Sequence, residues 1–352
     1  MTSTPPSTSF TCVDTVATAG NCAVYNSVVT FGSSNIPVSG GTEYTNVLPS
    51  LNLRLKYNDQ LQFRFAASKA IVRPEMGWLS PYTTLGASFT TVDNGDGTQH
   101  VQAYSLTGQG GTANIQPVEA NQYDLTAEWY FAPTSSLTLA LFRKDMKNYI
   151  YVQSVPETYT NNGQTITFNV NRYINGSEDG KVEGFEIAYN QFFDFLPGIW
   201  SGLGVQANYT RIESSGGRNP VASIADGNQI TNANLNGLPL EGMSPDSYNL
   251  AVMYEKYGIS ARLAYNWRSD YLYTTSAANV NRPMWSEEYG QLDGSIFYDI
   301  TPKFKIGIQG TNLGRDVAYT RVSSDLTRPL DTQYYSATKT DRRISVVLRG
   351  SF

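Results

Sequence analysis

The chain has 352 residues, a net charge of −5, one histidine and two cysteines. Charged residues make up 16%, against about a quarter in an average soluble domain, while 24 tyrosines, 15 phenylalanines and 5 tryptophans crowd the sequence. The acidic balance argues against a nucleic-acid partner, a lone His100 excludes a histidine metal cluster, and no GxxxxGK[ST] or strand-linked GxGxxG is present to cradle a phosphate, so neither catalytic residues nor a metal or cofactor are expected.

From the N-terminus, MTSTPPSTSFTCVDT has no basic n-region and no apolar h-region, and does not read as a signal peptide. Cys12 and Cys22 lie in a Thr/Ser/Asn-rich stretch and cannot by themselves close a four-ligand zinc site. In an oxidising compartment they would close a local disulfide loop; the alternative is a pair of unpaired thiols.

From residue 48 onward the dominant signal is period two. Leu61, Phe63, Phe65 and Ala67 alternate with Gln62, Arg64, Ala66 and Ser68; Ile259, Ala261, Leu263, Tyr265 and Trp267 alternate with Ser260, Arg262, Asn266 and Arg268. Eleven strands are expected, near 48–57, 60–71, 119–131, 135–152, 181–193, 199–213, 245–255, 258–270, 286–299, 303–313 and 341–352. Many exceed the usual five to six residues of a globular sheet and match the roughly 9–11 tilted residues that cross a bilayer core. No apolar run of about 18 residues provides a membrane helix.

The links alternate in size. Short ones fall at Asn58-Asp59, Ala132-Pro133-Thr134, Asp194 to Gly198, Glu255–Tyr257 and Thr301-Pro302; long ones at 72–118, 153–180, 214–244, 271–285 and 314–340. Tight turns on one side and long loops on the other are the asymmetry of outer-membrane barrels. Within the loops, DNGDGT (Asp93 to Thr98) lacks the alternating acidic ligands of a calcium loop and reads as a turn. His100 beside it reads as an exposed loop residue, and ITFNV (Ile166 to Val170) after Asn162-Gly163 as a loop hairpin beyond the membrane. Aromatic clusters at strand ends (Trp129 to Phe131, Tyr149 and Tyr151, Phe192 to Phe195, Tyr271 and Tyr273, Phe297 and Tyr298) suit the two membrane–water interfaces. The fold class expected is all-β, an antiparallel transmembrane β-barrel.

LPSLNLRLKYNDQLQFRFAASKAIVRPEM (48–76), EANQYDLTAEWYFAPTSSLTLALFRKDMKNYIY (119–151), KVEGFEIAYNQFF (181–193), LPLEGMSPDSYNLAVMYEKYGISARLAYNWRSDY (238–271) and the closing DRRISVVLRGSF resemble, in order, strand pairs of TonB-dependent outer-membrane receptors. The likeness covers about 44–352 and is similar to the proteobacterial branch often linked to carbohydrate uptake. It implies a barrel of about 22 strands filled by a plug, of which eleven form the C-terminal half. Residues 1–45 would be a remnant of an extracellular loop and 46–352 the barrel half, with the plug and the N-terminal barrel half missing, as a truncated product or a fragment. The final strand, ending on Phe352, resembles the signal read by the barrel assembly machinery, although Gly350 departs from the usual apolar third-from-last residue.

The resemblance further implies residence in the outer membrane of a Gram-negative bacterium, in contact with its lipid, and uptake of a scarce substrate driven by the TonB complex through the plug. The substrate could be an oligosaccharide. Lumen or plug contacts are expected of Arg64, Lys69, Arg73, Arg262, Arg268, Lys303 and Lys305. Substrate contacts are expected of the loop aromatics Trp78, Tyr82, Tyr104, Tyr271, Tyr273, Trp285 and Tyr319, whose rings can stack on sugar faces; Tyr271 and Tyr273 could instead belong to the outer girdle. A passive porin, a non-functional barrel fragment and a soluble β-rich glycan-binding module are the alternatives.

Overall fold

Eleven antiparallel strands, each hydrogen-bonded to its neighbours in sequence order, make one continuous sheet. They are β1 (Ser50–Lys56), β2 (Leu61–Val72), β3 (Val118–Ala132), β4 (Ser135–Lys147), β5 (Gly180–Phe192), β6 (Leu203–Ser215), β7 (Asp246–Lys256), β8 (Ile259–Arg268), β9 (Tyr289–Thr301), β10 (Phe304–Thr311) and β11 (Arg343–Gly350). The computed structural model describes residues 7–12, 25–30, 40–93, 99–161, 164–176, 179–216, 238–275, 282–325 and 328–351. A separate hairpin joins Ser7–Cys12 to Tyr25–Thr30. Among the described residues no helix is long and apolar enough to cross a membrane, and the crossing falls to the strands.

Register fixes the two faces of the sheet, because partners across an antiparallel ladder point to the same side. Leu53, Phe65, Leu125, Leu141 and Phe185 form one row across β1 to β5. Val205, Val252 and Leu263 form a second row on the same face of β6 to β8, and Ile296, Ile308 and Val346 a third on β9 to β11. These side chains are not packed inside the protein: Leu53 is 54% exposed, Leu263 50% and Val346 74%. At about 25 cal/mol per Å², an apolar belt spanning eleven strands cannot face water; it faces lipid. The opposite face carries Arg64, Thr126, Ala140, Glu186 and Thr210 in one row, and faces the lumen.

The short-turn end is built by local chemistry. Asn58 Oδ1 accepts from the backbone N–H groups of Gln60 (2.8 Å) and Leu61 (2.7 Å), and Thr301 Oγ1 from those of Lys303 and Phe304. Tyr257 (φ 54) and Gly258 (φ 73) make the two-residue turn between β7 and β8, the paired positive angles that match strand twist in a type I′ hairpin. Trp129, Tyr130, Phe195, Trp200, Tyr257 and Tyr298 stand exposed around this end, as an interfacial girdle requires.

Among the described residues, four of the five long links carry strands of their own. Thr83–Asp93, Gln99–Gly110, Gln164–Asn175 and Ile150–Asn161 form a four-stranded sheet in that order, with a parallel pair in the middle. Tyr271–Thr274, Met284–Ser286, Val317–Asp325 and Arg328–Lys339 form a second. The loop hairpin expected at Ile166 is present, and the strand expected over 135–152 is two. Asn148 adopts φ 56, a left-handed conformation that asparagine tolerates, and redirects the chain from β4 into the first loop sheet. These sheets hold the fully enclosed apolar side chains: Phe168, Val170 and Leu272 are 0% exposed. The tip at 94–98, the side chains of His100 and Cys12, and Cys22 and Phe352 lie outside the described residues.

Candidate functional site

On the lumen face, β6 to β9 carry a row of neutral amides in register: Asn208, Asn249, Asn266 and Gln291. A groove of about 460 Å³ runs along it, lined also by Asn190, Gln206 and Arg262. Primary amides both donate and accept, which gives this stretch of wall hydrogen-bonding capacity around a single charge, Arg262. Nearer the short turns, Arg64 pairs with Glu128 at 2.7 Å. Glu128 also accepts from Gln62 and from the Tyr130 hydroxyl. Lys305 pairs with Asp299 at 2.9 Å.

Of the seven cations expected in the lumen, Arg64, Arg262, Arg268 and Lys305 occupy inward positions. Lys303 sits in the β9–β10 turn. Lys69 does not face inward: continuous pairing puts it on the same side of β2 as Phe65, beyond the lipid belt, where it pairs with Glu119 at 2.7 Å. Arg73 follows the end of β2, exposed. A strand's parity decides the face, and Lys69 and Arg73 share the parity of Leu61.

Above the lumen, the loop sheets gather most of the expected aromatics into two groups. In the second loop sheet, Trp285, Arg321 and Tyr334 are cross-strand partners. The Arg321 guanidinium lies 5.0 Å from the Tyr334 ring and pairs with Glu287; Tyr319 meets Tyr334 edge-on at 5.9 Å. Tyr334 and Glu287 raise the Arg321 pKa, the tyrosine hydroxyl first, so this cation is firmly charged. Arg268, at the top of β8, donates to Ser286 Oγ at 3.0 Å and to the Glu287 carbonyl at 3.3 Å. Its guanidinium covers the Tyr271 ring at 4.6 Å. Trp285, Ser286, Glu287, Arg321 and Tyr334 line a cavity of about 530 Å³ together with Asp270 and Glu288. Tyr273 stands on the same sheet, 57% exposed.

Beside the first loop sheet, Trp78 of the short helix Met76–Leu79 stacks on Tyr173 at 4.6 Å, and Tyr82, which precedes the strand Thr83–Asp93, is exposed. Tyr104 belongs to the strand Gln99–Gly110, and its side chain lies outside the described residues. Arg172 locks the sheet. It reaches both Glu157 oxygens at 2.7 and 2.9 Å, the Gly111 carbonyl at 2.6 Å and Thr83 Oγ1 at 2.7 Å. These bonds hold the Glu157 pKa below the usual carboxylate range. Burial, then the bond to Glu157, raises that of Tyr159.

Sequence reasoning missed Tyr334, the Asp270/Glu287/Glu288 set and the Arg172–Glu157 lock. The one local signal was the contiguous Trp285-Ser286-Glu287-Glu288 beside a strand; which residues face it depends on register shifts at Thr320/Arg321 and Ser323/Asp325. Among the described residues no group of three or more His, Cys, Asp or Glu side chains could hold a metal ion.

A family model described as "TonB dependent receptor-like, beta-barrel" matches residues 23–313. Among solved structures, the chain is similar to the siderophore receptor PirA from Acinetobacter baumannii, at 15% identity and a TM-score of 0.56 over 87% of this chain and 41% of that one. It is also similar to the ferric enterobactin receptor PfeA from Pseudomonas aeruginosa, at 16% identity and a TM-score of 0.60 over 87% and 41%. P. aeruginosa FpvA, solved with a bound heterologous pyoverdine, follows at 15% identity and a TM-score of 0.50 over 93% and 35%. The chain therefore spans about two fifths of the length of these structures. No match is found among curated proteins. Eleven sequentially paired strands, a lipid-facing belt and a polar lumen face agree with the family match, and the chain belongs to the TonB-dependent receptor β-barrel family.

Proposed function

We propose that this chain forms part of an outer-membrane active-transport receptor of a Gram-negative bacterium, which takes up a scarce substrate with energy relayed by the TonB complex through a plug. The observation that carries this reading is the sidedness of the wall: an exposed apolar belt on one face, a row of amides on the other, and at the long-loop end a mouth built of ordered sheets with a cavity. Such a wall orients and passes a ligand, the work of a transporter and not of an enzyme, in keeping with the receptor family matched.

Odd-numbered strands all run toward the short turns, so β1 and β11 are parallel to each other, while every pair within the wall is antiparallel. The two edges keep unpaired backbone groups, which cost several kcal/mol each in lipid, and antiparallel closure needs an odd number of further strands between them. That parity fits completion by the remaining barrel strands of a receptor, with the plug against the lumen face. Insertion through the barrel assembly machinery, guided by the last strand and Phe352, belongs to the same reading.

For the substrate we favour an oligosaccharide, because Trp285 and Tyr334 supply flat faces beside carboxylates at the mouth. Uptake of labelled oligosaccharides by cells carrying the complete receptor should collapse with a protonophore and with loss of TonB. Uptake indifferent to both would remove the active-transport reading and leave a passive pore.

A further inference from the structure

The lipid-facing belt is not evenly filled. Val252 and Leu263 lead in register to Gly294 on β9 and Gly310 on β10, two glycines directly opposite each other, before Ile344 resumes the row on β11. Glycine inside a strand weakens it and marks a place where something approaches the backbone closely. Part of the space goes to Leu313, just after β10: a Cβ on Gly310 would lie 2.6 Å from its Cδ2, and one on Gly294 3.3 Å from its Cδ1. The rest is an apolar groove of about 410 Å³. Leu203 and Tyr254 flank it on one side and Ile308 and Ile344 on the other, with Ala261 and the glycines between. Arg262 and Ser295 border it too, but alternation along β8 and β9 turns their side chains to the lumen.

At its short-turn end the groove leads to a cation. Lys256 lies two residues beyond Tyr254 on the same face of β7. Its Nζ donates to the Gly198 carbonyl at 2.8 Å and to Ser201 Oγ, both in the short 3₁₀ turn that precedes Leu203, and stands 5.1 Å from the centre of the Tyr257 ring. An ammonium group carries three protons, which leaves one for an acceptor from outside. The neighbouring carboxylate, Glu255, has the opposite parity and faces the lumen. Trp200 and Tyr257 stand exposed close by, at headgroup level. From Tyr257 to Leu263 the chain rises about 20 Å along the strand, or about 14 Å of depth at a tilt of about 45°, close to half of a hydrocarbon core of about 30 Å.

We infer that this groove seats an acyl chain of a phospholipid from the periplasmic leaflet, with the lipid's phosphate on Lys256. Leu313 closes the long-loop end, so the headgroup belongs at the other. Hydrocarbon gains nothing by leaving lipid for an equally apolar wall; the chain therefore supplies fit, and the phosphate supplies the preference. One lysine at an anionic headgroup raises occupancy about fivefold.

The test is native mass spectrometry of the complete receptor, extracted in mild detergent from outer membranes, where phospholipid and lipopolysaccharide are both on offer. The receptor should retain a phospholipid. Ala261→Phe fills the groove and should lose it, and Lys256→Gln should lower its occupancy about fivefold. Leu141→Phe, on the same belt but away from the groove, should change nothing. Heat-modifiable gel mobility reports whether each variant remains folded, and Gly294→Val is the second groove-filling variant should Ala261→Phe fail that check. Phospholipid retained equally by the folded groove-filling variant, lipopolysaccharide retained in its place, or no lipid retained at all overturns the inference. Substrate uptake does not enter the readout, so the lipid site stands or falls apart from the transport reading.

Discussion

Exchanging Leu263 and Asn266 for lysine one at a time separates a lipid-facing wall from an ordinary sheet. Both lie on β8, three residues apart and on opposite faces. Leu263 is half exposed and opposes Val252 and Gly294, whereas Asn266 opposes Asn249 and Gln291. Leu263 is the fifth of ten residues from the tight turn at Tyr257-Gly258, which sets it near mid-membrane. A lysine on the lipid face at that depth costs about 2–4 kcal/mol, a change of about thirty- to several-hundred-fold in the folding equilibrium. Asn266→Lys adds a charge to a hydrated polar groove and should cost about 1 kcal/mol or less. Urea titration of the complete receptor refolded into lipid vesicles, followed by tryptophan fluorescence, measures both. Equal costs, or a larger one for Asn266→Lys, would refute the assignment of faces.

Arg172→Met removes the one side chain that joins Glu157, Thr83 and the Gly111 carbonyl. It should destabilise the first loop sheet by about 2–3 kcal/mol, read as faster amide exchange across 150–175 with β5 to β8 unchanged. Because Glu157 titrates below its unfolded value, its contribution is fully present above the unfolded carboxylate pKa and lost as pH falls through the lower folded one. Exchange in that sheet should therefore accelerate in acid before the wall responds. Asn148→Val forces a β-branched residue to φ 56 and should cost about 1–2 kcal/mol, visible as a lowered melting temperature; Asn148→Gly should be nearly neutral.

The wall was readable because lipid on one side and polar lumen on the other impose alternation, and the central parts of the eleven wall strands, from Leu51 on β1 to Leu348 on β11, obey it. The short turns were readable for a similarly local reason: Asn58-Asp59 turns where expected, while the bend expected at Glu255–Tyr257 falls slightly later, at Tyr257-Gly258. The loop sheets were not. Their strands mix Thr, Ser, Gly and Tyr without a clean period, and the parallel pairing of Gln99–Gly110 with Gln164–Asn175 joins segments far apart in sequence. The strand expected through 152 ran past Asn148 because a single left-handed residue leaves no mark on hydropathy. The loop aromatics Trp285 and Tyr319 could be singled out as exposed binding candidates, but their partner Tyr334 depends on bulges that shift register, and Arg172 declares itself only through contacts distant in sequence. Lys69 was legible and misread: its parity with Phe65 already put it on the outward side.

The sidedness of the wall is read most directly by spin labels placed singly along β8, at Ser260, Ala261, Arg262, Leu263, Asn266 and Trp267, in the complete receptor reconstituted in bilayers. Collision with oxygen, which concentrates in lipid, should be high at Ala261, Leu263 and Trp267 and low at Ser260, Arg262 and Asn266. Oxygen collision rates that do not alternate along the strand, or that alternate in the opposite phase, would contradict a membrane-spanning wall with this register.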